Sequence, residues 1–456
     1  MSEFSILELE QWNGRIEACA GEIGLDFYPQ EFELCSYEEM LGYEAYTGMP
    51  SHYPHWSYGK AYDRLHTFYR YNLTGLPYEM VINSNPCLAY LMRDNTLLLQ
   101  ILTIAHVYGH NDFFKNNRLF KSTRPEAVLD SFKNHAVRIR DYIQDPSIGY
   151  VKVERVLDAA HALRYQVNRT IGAKKLTITE MKQKLLEEYG RKTQVGLFGR
   201  QTEVVTPPDL DRIPLEPEED ILGFFIEYSR LDEWEKDILR IVRAESEYFL
   251  PQIETKILNE GWASLWHYRV LQKLDLPQNL HLEFLKRHHQ VIRPHPGGLN
   301  PYHLGFVMLN DLETRFGTDK LFEARELESD RSFIRRYLTG ELCRELHLFE
   351  YFQNDEAAFI SEVADEDGWE SIRDTLCQVI GMGAVPVIKV KEMSSRDGSL
   401  ILEHEYDGRE LELGNTGETL KYLVELWGKP VKLITRMKGK EMMIICDELK
   451  KLTAVD

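Results

Sequence analysis

The sequence is poor in cysteine and has no closely spaced cysteine pair. Six cysteines are scattered through 456 residues, and no Cys-x-x-Cys motif occurs among them. This distribution excludes a disulfide framework and a cysteine-rich zinc site, and it is typical of reduced thiols in the cytosol. The cysteines are Cys19, Cys35, Cys87, Cys343, Cys377 and Cys446.

Basic residues are also in short supply. Lysine and arginine number 54 against 73 aspartates and glutamates, so the formal net charge is −19. Because phosphate neutralisation needs an excess of positive side chains, this composition argues against a nucleic-acid partner. The first residues lack the basic and apolar segments of a signal peptide, and charged residues interrupt the longest apolar stretch. We therefore expect a cytoplasmic protein without a transmembrane segment.

The chain does contain enough apolar material for a large core. Hydrophobic residues make up 43% of the sequence, which is ordinary for a globular protein. Helical spacing dominates up to about residue 383, so the pattern predicts a mainly α-helical large domain over residues 1–383. Within it, the segment 166–217 is rich in lysine and proline, and we expect a flexible linker or insertion there.

The last part of the chain changes from helical to alternating periodicity. Residues 384–456 are predicted to form a small C-terminal α+β domain in the order β-β-β-α-β-β, with hairpin turns at Asp-Gly pairs and the third strand over 410–413. This domain carries no catalytic constellation. We interpret it as a binding or assembly module for an unidentified protein partner.

The rest of the sequence is organised around an apolar stretch, residues 86–117. Nearly every face of a helix over residues 88–114 would be apolar, so the pattern predicts one buried helix. His106 and His110 lie four residues apart on it, where one metal ion could bridge both imidazoles. The alternative is that each imidazole simply bonds a backbone carbonyl. The zinc-peptidase motif His-Glu-x-x-His has its base after the first histidine, but that position is Val107 here.

Two further predicted helices carry ionisable groups on largely apolar faces. Glu154, Asp158 and His161 fall on one stripe, and Glu260 and His267 share a face seven residues apart. Because a buried charge is costly unless it is paired or metal-bound, these groups are candidates for a shared site. The alternatives are an exposed salt-bridging face for the first helix and a buried ion pair for the second.

We predict that the three polar stripes converge on one cleft. The walls would be an aromatic tract, residues 43–60, and part of a polar loop predicted over residues 288–305. That loop leads into a helix with Asn300 as N-cap and Pro301 at its first position. If one metal ion is shared, the tips of its ligands should lie within about 5 Å of one another.

Five tracts of the sequence, taken in order, together carry a family resemblance. They are YEAYTGMPSHYPHWSYGK (43–60), GLPYEMVINSNP (75–86), AHVYGHNDFFKNN (105–117), NEGWASLWH (259–267) and LNPYHLG (299–305). They resemble the SpoVR-like family, which is named after stage V sporulation protein R. The resemblance covers about residues 25–380, and the C-terminal domain also suits the family. It implies a link to spore cortex formation, and hence to peptidoglycan, in spore-forming bacteria, although the family also occurs outside them.

A second resemblance is to zinc peptidases in which a His-x-x-x-His helix is followed by a later helix carrying Glu-Gly-Trp-Ala or a similar tract. The glutamate of that tract is their third ligand. His106, His110 and Glu260 match this arrangement. A zincin-like helical core is therefore one interpretation of the large domain.

Two hypotheses follow. The first is a metal-dependent hydrolase that binds a divalent metal ion, with zinc as a candidate. Its ligands are His106, His110 and Glu260, with His267 as a further ligand candidate. Its catalytic groups are drawn from Glu154, Asp158 and His161. The second hypothesis is a non-catalytic, degenerate metallopeptidase-like scaffold or regulatory binding protein, and Val107 is its main support.

Overall fold

The computed structural model describes residues 4–70, 79–172, 175–195, 206–294, 298–353, 358–366 and 368–455. The chain divides into two units. Unit 1 comprises Met1–Asp141 and Tyr248–Ala384, and unit 2 comprises Tyr142–Glu247 and Val385–Asp456. The C-terminal segment thus shares its unit with the region that contains the predicted linker or insertion.

Helices dominate the described residues, as the sequence predicts. The helices are α1 (Ile6–Glu22), α2 (Tyr37–Ala45), α3 (Trp56–Arg70), α4 (Leu97–Asn116), α5 (Val128–Gln144), α6 (Tyr150–Ala162), α7 (Ile178–Val195), α8 (Ile221–Tyr228), α9 (Glu233–Glu254), α10 (Lys256–Lys273), α11 (Gln278–Val291), α12 (Pro301–Phe316), α13 (Thr318–Leu327), α14 (Asp330–Tyr337), α15 (Gly340–Glu345), α16 (Gly368–Val379) and α17 (Leu413–Trp427). The strands are β1 (Gln30–Cys35), β2 (Glu79–Ile82), β3 (Cys87–Met92), β4 (Phe349–Gln353), β5 (Ala358–Val363), β6 (Ile388–Met393), β7 (Leu400–His404), β8 (Val431–Met437), β9 (Lys440–Cys446) and β10 (Leu452–Val455).

The long apolar stretch forms a strand and a helix, so the prediction of one helix over residues 88–114 is wrong at its start. Its first part is β3, and a turn over residues 93–95 separates β3 from α4. The hydroxyl of Thr96 caps α4 by accepting the Leu99 N–H at 3.3 Å. Periodicity cannot separate a buried strand from a buried helix, because both are apolar on all sides. Across the described residues, no helix combines the length and the apolarity that crossing a membrane requires.

A small mixed sheet brings an early strand beside the start of α4. Its strand order is β1-β3-β2, with β1 parallel and β2 antiparallel to β3. Glu79, at the beginning of β2, pairs in register with Leu91. The antiparallel pairing of β2 with β3 carries Glu79 toward α4.

The core of unit 1 is built on α4, α10 and α12, which approach one another at small residues. A methyl group added at Gly109 would lie 2.7 Å from the Cα atom of Ala263, so α4 and α10 are in backbone contact there. At the second crossing, Gly261 of α10 meets Gly305 of α12 with no room for a side chain on either. Glycine at these positions lets side chains from different helices reach a common point.

Replacing Gly305 with alanine is expected to destabilise the protein by about 1–3 kcal/mol, because the new methyl group would overlap the Ile257 carbonyl oxygen. Urea unfolding of the full-length variant would measure the loss. Gly14→Ala on α1 is the matched control, since no atom lies within 4 Å of the added methyl group. That control should be neutral or slightly stabilising. Equal stability of the two variants would show that the α10–α12 contact is looser than described.

Unit 2 contains a five-stranded sheet in the order β10-β9-β8-β7-β6. Strands β7 and β8 run parallel, and the other neighbouring pairs are antiparallel. The prediction of a third strand over 410–413 is wrong: that segment leads into α17, and the fifth strand is β10. The C-terminal order is therefore β-β-α-β-β-β. Helix α17 packs on α6, β8 and β9, and α7 lies within the predicted linker segment.

The remaining local predictions had different outcomes. The helix at Pro301 is confirmed, with the Asn300 side chain accepting the Tyr302 N–H at 3.0 Å. The loop predicted from residue 288 begins later, because α11 continues to Val291. Strands β1, β4 and β5 were not predicted, since short strands beside helices leave little periodic signal.

Candidate metal centre

The two histidines of α4 lie side by side in the core of unit 1. Their ring centroids are 4.6 Å apart, and only 3% of His106 and 4% of His110 is exposed. One turn of helix separates them, so both Nε2 atoms point to the same side. This is the shared face that their spacing predicts.

Glu260 of α10 faces both imidazoles. Its Oε2 atom lies 3.5 Å from His110 Nε2 and 3.8 Å from His106 Nε2. These separations fall inside the predicted 5 Å, and they exist because α4 and α10 are in contact at Gly109. The alternative of a buried ion pair between Glu260 and a lysine or arginine does not describe this arrangement, since the close ion pairs of Glu260 among the described residues are with His106 and His110.

A fourth group, Glu79, was not identified as a site residue from the sequence. Its Oε1 atom lies 3.8 Å from His106 Nε2. One ligand atom each from Glu79, His106 and His110 lie within 4.8 Å of one another. The available signal was weak: Glu79 is an acidic residue at the start of an apolar strand, 27 residues before His106. Strand pairing, rather than spacing along a helix, brings it to the cluster.

Two atoms of this cluster are buried without a hydrogen-bond partner. They are His106 Nε2 and Glu260 Oε2, and the 3.8 Å between them is too long for a hydrogen bond. Leaving buried polar atoms unsatisfied costs about 1–3 kcal/mol each, which a bound cation would offset. Ligands about 2.1 Å from a tetrahedral zinc ion stand about 3.4 Å apart, close to the observed separations. The donor set of imidazole nitrogens and carboxylate oxygens therefore fits a divalent cation.

The environment holds the groups in forms suited to binding a cation. Burial lowers the pKa of His110 to about 4, with His106 adding to the shift, so this imidazole is neutral at neutral pH. Burial raises the pKa of the Glu79 carboxyl against the opposing effect of His106. Burial acts in the same direction on Glu260, but the two histidines and Lys256 outweigh it, and the Glu260 pKa is lowered. The two carboxyl pKa values are thus pushed apart.

Each histidine is held from behind by a hydrogen bond at Nδ1. For His110 the partner is Asn259 Oδ1 at 2.9 Å, so Nδ1 carries the proton and the Nε2 lone pair faces the cluster. For His106 the partner is His267 Nδ1, also at 2.9 Å. The second nitrogen of His267 lies 2.8 Å from His288 Nδ1. His267, predicted as a ligand, thus has both ring nitrogens engaged by imidazoles and stands behind His106.

The predicted catalytic stripe lies on α6, in unit 2. Glu154, Asp158 and His161 are all half-buried, and Glu154 accepts a hydrogen bond from the Tyr150 hydroxyl at 2.5 Å. Their predicted place beside the histidine cluster remains a prediction. Helix α6 itself is confirmed.

One part of the predicted walls adjoins the cluster. Tyr302, from the end of the predicted loop, stacks near His106 with ring centroids 6.1 Å apart. Gly48, from the aromatic tract, lies beside the side chain of Met80, which points to the opposite face of β2 from Glu79, so the place of this tract at the cleft stays a prediction. Residues 295–297 of the loop lie outside the described residues.

Comparison with known proteins gives a consistent assignment. The model of the family described as "SpoVR like protein" matches residues 3–385, and that of the "SpoVR-like C-terminal domain" matches residues 386–438. A relative in Escherichia coli (strain K12), named "Uncharacterized protein YcgB", is 36% identical over 472 aligned positions, covering 93% of this chain and 91% of the relative. No solved structure matches. The chain belongs to the SpoVR family.

Proposed function

We propose that this protein is a metal-dependent hydrolase whose divalent cation is held by His106, His110 and Glu260. The observation that carries the proposal is the convergence of these three side chains from two helices, with His106 Nε2 and Glu260 Oε2 buried and unsatisfied. Two histidines and one carboxylate with a position left open are the ligand set of catalytic zinc sites. Zinc is therefore the candidate metal.

When bound, the cation would supply Lewis-acid polarisation of a substrate carbonyl or phosphoryl oxygen. The side chains supply the rest. His110 is oriented by Asn259, and the backbone contact at Gly109 keeps α4 and α10 close enough for Glu260 to reach both imidazoles. In this proposal the core is zincin-like, with β2 and its neighbours beside the ligand-bearing helix.

The carboxylate that Val107 fails to provide would come from Glu79. Burial raises the pKa of Glu79, whereas the pKa of Glu260 is lowered. Such a difference between two carboxyl groups suits Glu79 to accepting a proton and Glu260 to binding the cation in its ionised form. Glu79 would take the proton of the attacking water at a carboxylate oxygen. The alternative proposal is that Glu154 or Asp158 accepts the proton of the attacking water. His161 or His267 would then lie nearby and assist.

The glutamate roles predict a difference between two isosteric variants. Glu260→Gln should weaken Zn²⁺ affinity by more than about 100-fold, because it removes the charge of a metal ligand. The loss of a residue that only hydrogen-bonds to a ligand costs roughly 10–100-fold. Glu79→Gln should weaken it less than about tenfold. Competition with a chromogenic chelator would measure both affinities in full-length protein. The opposite order would make Glu79 the ligand and Glu260 the proton acceptor.

The function itself is tested on protein purified without a histidine tag. Elemental analysis should find zinc, iron or manganese in stoichiometric amount. A panel of chromogenic ester, amide and phosphate substrates should show hydrolysis that a chelator removes and added metal restores. A metal content far below stoichiometric, after purification and after reloading, would refute the proposal. A peptidoglycan substrate and a role in the spore cortex rest on the resemblance alone.

A second proposal is a non-catalytic scaffold or regulatory protein, and the observation that favours it is Val107 in place of the motif's glutamate. The C-terminal domain would then contact a protein partner, in the cytoplasm. Complementation of a deletion strain separates the two proposals. If the Glu79→Gln and His110→Ala variants fold but do not complement the deletion, the enzyme proposal is supported. Full complementation by both variants supports the scaffold proposal.

A further inference from the structure

Three buried imidazoles form a continuous row through unit 1. His106 Nδ1 lies 2.9 Å from His267 Nδ1, and His267 Nε2 lies 2.8 Å from His288 Nδ1. The row joins α4, α10 and α11, and no member is more than 3% exposed. Only its first member faces Glu79 and Glu260.

Hydrogen-bond chemistry leaves this row two arrangements when all three rings are neutral. A neutral imidazole has one N–H donor and one acceptor nitrogen, so every contact needs a donor on one side and an acceptor on the other. In the first arrangement, His106 donates through Nδ1 to His267, and His267 donates through Nε2 to His288. In the second, both bonds are reversed and His106 carries its proton on Nε2.

Only the first arrangement leaves His106 able to bind a metal ion. It places a lone pair on Nε2, which points to the carboxylate of Glu260. In the second arrangement a proton occupies that position and must be moved before a cation can bind. The direction of the two hydrogen bonds along the row therefore decides whether His106 can be a ligand. The number of protons on the three rings is the same in both arrangements.

The far end of the row is surrounded by rings. Tyr268, Phe284 and Phe306 lie 4.6, 6.1 and 5.2 Å from the His288 ring, centroid to centroid. An apolar side chain of similar size would fill such a place without desolvating polar atoms. What His288 adds is an acceptor for the His267 N–H. That acceptor in turn leaves His267 Nδ1 free to accept from His106.

We propose that His267 and His288 are positioning residues that hold His106 in the tautomer required for metal binding. This inference rests on the proposed metal centre. It assigns a part to His288, which lies 21 residues beyond His267 and does not reach the metal ligands other than through that ring.

Zn²⁺ affinity of full-length variants tests the proposal. His288→Leu removes the acceptor and should weaken binding about 10–100-fold, the usual effect of losing such a supporting hydrogen bond. His288→Asn should recover most of the affinity, because its Oδ1 atom stands near the position of Nδ1. His289→Leu is the matched control on the same helix: His289 is exposed and its substitution should leave affinity unchanged. Equal affinity of His288→Leu and His289→Leu would overturn the proposal.

A spectroscopic measurement separates positioning from packing. Long-range ¹H–¹⁵N spectra of histidine-labelled protein, assigned with the single variants, report which ring nitrogen carries the proton. Zinc-loaded protein should show His106 protonated at Nδ1 and His267 at Nε2; any other pattern overturns the inference. If His288→Leu does not fold, His288→Asn and His288→Gln replace it, and the Asn variant should bind zinc more tightly than the Gln variant. Absence of zinc binding in the unchanged protein would instead refute the metal centre itself.

Discussion

A variant with both His106 and His110 replaced by alanine is expected to purify without bound metal. The unchanged protein should carry about one equivalent, the normal content of a mononuclear site. The variant loses two of three ligands, and the remaining carboxylate of Glu260 is too weak a site alone. Elemental analysis of untagged protein, before and after incubation with Zn²⁺, measures the difference.

Thermal unfolding provides an independent measurement of the same result. A ligand that binds only the folded state stabilises it by about 2.7 kcal/mol when present at a hundred times its Kd. Added Zn²⁺ should therefore raise the Tm of the unchanged protein and leave that of the double variant unmoved. His281→Ala/His289→Ala on α11 is the matched control and should respond like the unchanged protein. Unaltered metal content in the His106→Ala/His110→Ala variant would place any metal elsewhere.

The second large effect concerns a buried ion pair that holds the ligand-bearing helices together. Asp112 follows His110 by two residues on α4 and is fully buried. Its Oδ1 atom accepts from Arg325 at 2.7 Å and from the Asp26 N–H at 2.8 Å, and its Oδ2 atom accepts from Trp262 at 2.8 Å. These bonds connect α4 to α10 and α13. Burial raises the pKa of Asp112 to about 6, although Arg325 opposes the shift.

Replacing Asp112 with alanine is expected to cost about 3–5 kcal/mol of stability, because the buried Arg325 charge would lose its buried partner and keep only the exposed Glu326. Zn²⁺ affinity should fall as well, since the same change loosens the turn of α4 that carries His110. Urea unfolding of metal-free protein gives the first quantity and chelator competition the second.

Two further variants make that result interpretable. Glu323→Gln breaks an exposed pair with Lys320 on α13, at 2.7 Å, and should cost less than about 1 kcal/mol. The double variant Asp112→Leu/Arg325→Leu should be more stable than Asp112→Ala, because it leaves no lone charge in the core. An Asp112→Ala variant as stable as Glu323→Gln would mean that the buried pair contributes little to holding the helices.

Local signals in the sequence were sufficient to predict much of the helical fold. The four-residue spacing of His106 and His110 determines that they share a face, whatever surrounds the helix. The helix at Pro301 likewise follows from a capping asparagine and a proline at its first position, both of which act within one turn. Such features depend on neighbours a few residues away, so no knowledge of the fold is needed.

Errors arose where one local pattern suits two structures. The apolar residues before α4 satisfy a buried strand as well as a buried helix, and pairing with β1 and β2 selects the strand. His288 lies in the last turn of α11, and the end of this helix has no distinct signal in the sequence, so the loop was predicted to begin too early. In the C-terminal segment, pairing with β9 makes residues 452–455 a strand, whereas residues 410–413 have no such partner among the described strands.

The sequence by itself therefore determined the family, the dominance of helices and the two histidines on one face of α4. The resemblance to zinc peptidases also named Glu260 as a third group, but only the tertiary structure decided that these side chains meet and which further groups join them. Glu79 arrives on a strand, Glu260 through helix contacts that glycine permits, and His288 through a chain of imidazoles. The reason is physical: spacing along a helix sets direction within a few turns, whereas a metal centre requires atoms from distant segments within a few ångströms, and only packing sets those distances.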